Sequence, residues 1–198
     1  MRIELPYFQI GDSYGGNQNW FRDPMMHLGG CAAATACDAC IYMALNEKKL
    51  HLYPHDINNL DRKNYIAFAK TMKPYLKPRF RGIDTIQIFI DGFHNYLKDR
   101  GEEKVSLEGF TGDLSEQEAI IEIKRQLDLA RAIPYLLLKH ENPKLRNFTW
   151  HWFLIVGYEE VNGELYIKFA TYGNYHWLPF HELWETGFKE KGGMVLIR

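Results

Sequence analysis

The 198-residue chain contains no run of 18 apolar residues, the least a membrane-spanning helix needs. Its opening, Met1-Arg2-Ile3-Glu4-Leu5-Pro6, lacks the apolar stretch and small-residue cleavage site of a secretory signal. Cysteine is scarce. The three residues, Cys31, Cys37 and Cys40, are an odd number confined to one short segment, which excludes a disulfide framework. These absences lead to the expectation of reduced thiols, a cytoplasmic location and no membrane partner. Charge of one sign is also missing. A net charge of −1 argues against a nucleic-acid partner. Without internal repeats or a Ser/Gly/Pro-rich linker, residues 1–198 read as a single domain. An apolar fraction of 46% and a charged fraction of 25% exclude a disordered or fibrous chain.

The segment from Met1 to Gly30 is rich in turn formers (Gly11, Gly15, Gly16, Asn17, Pro24, Gly29, Gly30) and reads as a long ordered loop of the kind that usually carries function. From Cys31 to Leu45 strong helix formers run without a breaker, and Asp38 is the only charge. A helix apolar on every side belongs in the middle of a domain. Asp61 caps a helix over 62–73 that Pro74 stops. Asp84-x-x-Gln87 resembles a capping box before Ile86, Ile90, Phe93 and Leu97. Ser115-x-x-Glu118 opens another helix, with Ile120, Ile123, Leu127 and Ala130 inward and Pro134 ending it.

After Pro134 the period changes. Ile133–Lys139, Thr149–Tyr158, Glu164–Ala170 and Met194–Arg198 read as strands, with Val161-Asn162-Gly163 as a hairpin turn and Val105–Phe110 as a further short strand. Helices over about 31–131 followed by an antiparallel sheet over about 133–198 define an α+β fold.

Gly29-Gly30-Cys31 places a thiol at a helix N-terminus. Free N–H groups and the macrodipole there favour a thiolate and lower its pKa. The Cys31 N–H is also available to an oxyanion. His151 begins the strand Trp150-His151-Trp152-Phe153-Leu154-Ile155-Val156-Gly157-Tyr158, on the face of Phe153 and Ile155. This segment resembles the histidine strand of papain-like cysteine peptidases, and Tyr166-Ile-Lys168-Phe-Ala170-Thr171-Tyr172-Gly173 is similar to their Ile-Lys-Asn-Ser-Trp-Gly strand. His151 follows Cys31 by 120 residues, somewhat short of the roughly 130–150 of the papain signature. The Leu5-Pro6-Tyr7-Phe8-Gln9 opening, the Gly-Cys-Ala-x-x-x-Ala helix start and the closing Leu178-Pro-Phe180-His-Glu182-Leu-Trp184 resemble the compact bacterial branch that removes double-glycine leader peptides. Residues 50–145 carry no such likeness.

The resemblance implies a papain-like fold, the Cys31 helix packed on the C-terminal sheet, and a thiol peptidase acting on a peptide or amide through a Cys31–His151 dyad. It implies no metal and no organic cofactor. An amidase, an acyltransferase or an inactive peptide-binding module are its alternatives. Two positions depart from the family. Ala170 stands where an Asn or Asp holds the histidine, which leaves Thr171 or Asn174 to substitute. Met25 stands where a Gln assists the oxyanion, which leaves Gln9, Gln18 or Asn19. Gln18 is favoured, because glycines on one side and Trp20 on the other suit a folded loop presenting an amide inward.

Other groupings read as structural. Cys37-x-x-Cys40 lies two turns inside its helix and reads as inert. Pro54 keeps His51 and His55 from sharing a helix face. Asp38 reads as a buried structural acceptor for Arg, Lys or backbone N–H groups. Residues 62–81 hold seven Lys and Arg and no acid, a face suited to solvent or to an acidic peptide.

Overall fold

A computed structural model describes all residues, 1–198. Strands β1 (Arg2–Glu4), β2 (Gln9–Ile10) and β3 (Ser13–Tyr14) come first, then a 3-10 turn (Gln18–Trp20) and helices α1 (Pro24–Gly29) and α2 (Cys31–Asn46). Helices α3 (Arg62–Met72) and α4 (Ile86–Asp99), strand β4 (Leu107–Thr111) and helix α5 (Glu116–Asp128) follow. The chain closes with β5 (Ile133–Leu137), β6 (His151–Val161), β7 (Glu164–Thr171), β8 (Asn174–Pro179), helix α6 (Phe180–Trp184) and β9 (Gly193–Ile197). A seven-stranded antiparallel sheet runs in the order β4-β9-β5-β6-β7-β8, with β1 also paired to β6. The architecture is α+β.

Helix α2 is the centre of the packing. Thirteen of its 16 residues are buried, so it has no solvent face. Its alanines and cysteines are small enough to let β6 and α3 approach from different sides. One contiguous core of 56 buried apolar residues draws on both helices and strands. Asp61 caps α3 through the Asn64 N–H, and Ser115 and Glu118 form a reciprocal capping box on α5. Asn162 and Gly163, both at positive φ, make the two-residue β6–β7 turn. No helix is long and apolar enough to cross a membrane.

Several expectations need correction. The segment before Cys31 is not a continuous loop but holds β1, the β2–β3 ladder, the 3-10 turn and α1. Helices and strands are not segregated along the chain, because β1 and β4 join the same sheet as the later strands. Thr85, not Asp84, caps α4, through the Ile88 N–H. The apolar face of α4 then reads Ile86, Phe89, Phe93, Tyr96 and Leu97, with Ile90 at its margin. Helix α5 ends at Asp128, so Ala130 is exposed at φ +55° and Pro134 lies inside β5.

Removing the Ser115 hydroxyl leaves an α5 N–H without its cap. Ser115→Ala is expected to cost about 1 kcal/mol, read as a lowered urea midpoint with unchanged slope.

Candidate functional site

Cys31 is the first residue of α2. Its preceding residue, Gly30, closes α1 and starts α2 without any side-chain cap, so the first N–H groups of α2 remain open. His151 is the first residue of β6, next to β7 at the middle of the sheet. Cys31, His151 and Gln18 line one cavity of about 20 Å³, together with Asp38, Thr171 and Tyr172. That is room for about one water.

Alternation along two neighbouring strands sets the surroundings of His151. His151 and Phe153 share a face of β6, Phe169 and Thr171 share a face of β7, and the Phe153 and Phe169 rings lie 4.4 Å apart. Thr171 Oγ1 thereby reaches His151 Nε2 at 2.6 Å. Ala170, at the position suggested for the family's Asn, borders the same cavity without a polar group. Asn174 lies exposed at the start of β8. The uncharged hydroxyl of Thr171 is the histidine's partner.

Sequence reasoning does not single out the next residue. Tyr172 and Gly173 form the β7–β8 turn, both at positive φ. A bulky residue pays steric strain in that region. Here it lays the Tyr172 ring parallel to the His151 imidazole, at 4.5 Å between centres and 6° between planes. The Tyr172 hydroxyl lies 3.3 Å from His151 Nδ1. In the tautomer with its proton on Nε2, Nε2–H donates to Thr171 Oγ1 and Nδ1 is left as the acceptor. No sequence signal foretells a tyrosine in a left-handed turn.

Gln18 is brought to the cavity by ties between the 3-10 turn and the β7–β8 turn. Asn17 Nδ2 donates to the Tyr172 carbonyl, and the Gly173 N–H donates to the Gly16 carbonyl. Gln18 Nε2 donates to the His27 carbonyl at 2.8 Å, which fixes the amide's orientation. Gln18 Oε1 is buried without a partner. Gln9 and Asn19 are exposed and outside the cavity, and Met25 is exposed on α1.

Asp38, two turns along α2 from Cys31, accepts hydrogen bonds from the Tyr7 and Tyr65 hydroxyls at 2.7 and 2.8 Å and from the Gly16 N–H. This is the buried acceptor role expected of it, with tyrosines as the main donors. Burial outweighs those donors and raises its pKa to about 6. Cys37 and Cys40 are fully buried, with their thiols pushed well up by desolvation.

The expectation of a lowered Cys31 pKa does not hold in this conformation. Cys31 is 3% exposed and His151 4%. Burial pushes the Cys31 thiol upward, although the N–H groups of Trp152, Ala32 and Cys31 itself pull the other way. Burial likewise lowers the His151 pKa to about 3. Part of the cover is the 79–83 segment between α3 and α4. Gly82 sits at φ +73°, and a Cβ there would lie 3.7 Å from Cys31 Sγ. The Arg79 carbonyl presses on Gly29, and the Ile83 carbonyl accepts from Trp152 Nε1 at 2.7 Å.

No family model, curated protein or solved structure matches this chain.

The buried acid gives a signed pH dependence. The folded pKa of Asp38, about 6, lies above its ordinary value of 3.8, so the native state holds the proton more tightly. Its contribution is fully present below pH 3.8 and is lost as pH rises through 6. Relative to Asp38→Asn, the wild type is expected to lose about 2 kcal/mol between pH 4 and pH 7. Urea unfolding of both proteins at the two pH values measures this. A constant difference would contradict it.

Proposed function

We propose that the chain is a papain-like cysteine hydrolase that cleaves a peptide or amide bond, by chemistry that needs no metal or organic cofactor. The observation that carries this reading is one shared cavity. It joins a thiol at an uncapped helix N-terminus to a histidine whose far nitrogen is held by a hydroxyl on the adjacent strand. That division of labour is nucleophile, base and orienter.

In the proposed reaction the Tyr172 hydroxyl gives up its contact with His151 Nδ1, Nδ1 takes the Cys31 proton, and the thiolate attacks the carbonyl carbon. The oxyanion that forms meets the Cys31 N–H and the Gln18 Nε2 hydrogen not used on His27. As the tetrahedral intermediate collapses, the C–N bond breaks and His151 returns its proton to the departing amine. His151 then takes a proton from water, whose oxygen attacks the thioester. The acid leaves, and the sulfur regains a proton. Thr171 keeps the imidazole oriented throughout, but as a neutral group it stabilises imidazolium less than a carboxylate would.

Cys31 and His151 are both uncharged before substrate arrives. Burial holds the thiol above its ordinary range and the imidazole well below its own. Proton transfer between them is therefore unfavourable while the site stays dry. Admitting water or substrate removes much of that desolvation. In this reading displacement of the 79–83 segment both opens the site and charges it.

The same closure supports a second reading, an inactive peptide-binding module, and one experiment separates the two. Brief treatment with iodoacetamide near neutral pH, followed by mass mapping, should label Cys31 well ahead of Cys37 and Cys40. The labelling should fall at least tenfold in His151→Ala. Equal labelling of the three thiols, or a rate indifferent to His151, would remove the hydrolase reading. Trp152→Phe keeps a ring against Phe89 but frees the Ile83 carbonyl. It is expected to speed Cys31 labelling several-fold while Cys37 and Cys40 stay protected.

Once a cleaved peptide is in hand, Gln18→Ala should lower kcat by about a hundredfold or more. Thr171→Val, which keeps the shape and removes the hydroxyl, should lower kcat by about tenfold with little change in KM. Unchanged kcat in either variant would show that the named group has no part in the reaction.

A further inference from the structure

The 3-10 turn that carries Gln18 has a second side. Beyond it lies an open groove of about 900 Å³ between this turn and α1 on one side and α3 on the other. Trp20, Met26 and Ile66 contribute its apolar surface, and Arg22, Arg62, Lys63 and Lys70 expose their charges along it. The single acid in the groove, Asp23, is already used. It accepts from the Met25 and Met26 N–H groups and is paired with Lys73.

None of the four cations lining the groove is within ion-pair distance of a carboxylate, whereas cations elsewhere in the chain are of both kinds, paired and unpaired. Lys49, Lys124, Lys168, Lys191, Arg2, Arg125 and Arg198 each face a carboxylate. Of the seven cations in residues 62–81, only Lys73 does. The rest of the chain is net acidic, yet the one carboxylate it sends to the groove is Asp23, already paired with Lys73. Arg62 stacks its guanidinium 5.4 Å from the centre of the Trp20 ring, which leaves its N–H edges available for a carboxylate. Positive potential is therefore concentrated over an apolar floor, one turn away from the cavity of Cys31 and His151.

We propose that this groove docks an acidic segment of the substrate: an extended peptide with carboxylates spaced by apolar side chains. The carboxylates meet the rim cations and the apolar groups meet Trp20 and Ile66. This rests on the hydrolase reading above and adds a substrate class to it. The Gln18–Trp20 turn forms a wall of both the groove and the cavity, so a segment seated in the groove leads its backbone toward Gln18. Complementary charge raises the association rate and makes binding dependent on salt.

The test uses the full chain and fluorescence anisotropy. The probe is a fluorescein-labelled octapeptide alternating glutamate and leucine. Matched glutamine–leucine and lysine–leucine peptides and a single-stranded 12-nucleotide DNA are the controls. The acidic peptide is expected to bind at least tenfold more tightly than any control and to weaken steadily with added salt. Arg62→Glu/Lys63→Glu/Lys70→Glu should weaken it at least tenfold. Should that variant unfold, Lys70→Glu alone, at an exposed position, should weaken it about threefold.

Equal binding of the glutamine peptide, preference for the DNA, or binding indifferent to these substitutions would overturn the proposal. So would salt-sensitive self-association that the triple variant abolishes, which would make a second copy the occupant. Cys31→Ala should bind the peptide as the wild type does. Docking is read without turnover, so an acidic preference with an unreactive Cys31 would fail only the hydrolase reading. A reactive Cys31 with no acidic preference would fail only this one.

Discussion

Everything at the site depends on one helix having no solvent face. Because α2 is enclosed by the sheet, α3 and the N-terminal turns, its first residue is held against the start of β6, and its eighth against two tyrosine hydroxyls. Small side chains make this enclosure possible. Larger ones would push β6, and His151 with it, away from Cys31. Asp38 is the polar cost of the arrangement. It holds Tyr7, Tyr65 and Gly16 around the helix, and so fixes the loop that continues into Gln18.

Enclosure also changes the chemistry of the groups it brings together. A helix N-terminus favours thiolate, and a partnered imidazole favours its cation, yet desolvation opposes both. For Cys31 and His151 desolvation is the largest influence, which leaves two neutral groups side by side. Burial thus leaves their positions and hydrogen bonds in place and keeps charge off both groups. Tyr172 fits this picture. It gives His151 a flat apolar face and a weak donor, and so keeps the ring aligned without charging it.

The site is legible in the sequence where local rules govern it. Glycines before Cys31, a helix without breakers and a period-two strand after Trp150 identify the positions of thiol and imidazole. The same alternation, carried from Phe169 to Thr171, leads to the histidine's partner once β7 is set beside β6. What is not legible depends on distant pairing or on unusual backbone. Strand β1 is very short and exists because β6, near the other end of the chain, offers it an edge. The β7–β8 hairpin escapes notice because its turn is Tyr172-Gly173 rather than Asn-Gly. At α4, Asp84 and Thr85 are both competent caps, and the buried face decides between them. The thiol's raised pKa is illegible because the covering segment lies between α3 and α4, remote from Cys31 in sequence.

Strand β9 lies between β4 and β5, although it is the last strand made. Residues 193–197 must therefore thread into a gap that two earlier strands leave open, a contact between parts of the chain far apart in sequence. Pairings of this kind close large loops and form late in folding. Cys31 on α2 and His151 on β6 are 120 residues apart, and only β5 lies between β6 and that gap. Assembly of the thiol and imidazole is thus coupled to completion of the sheet.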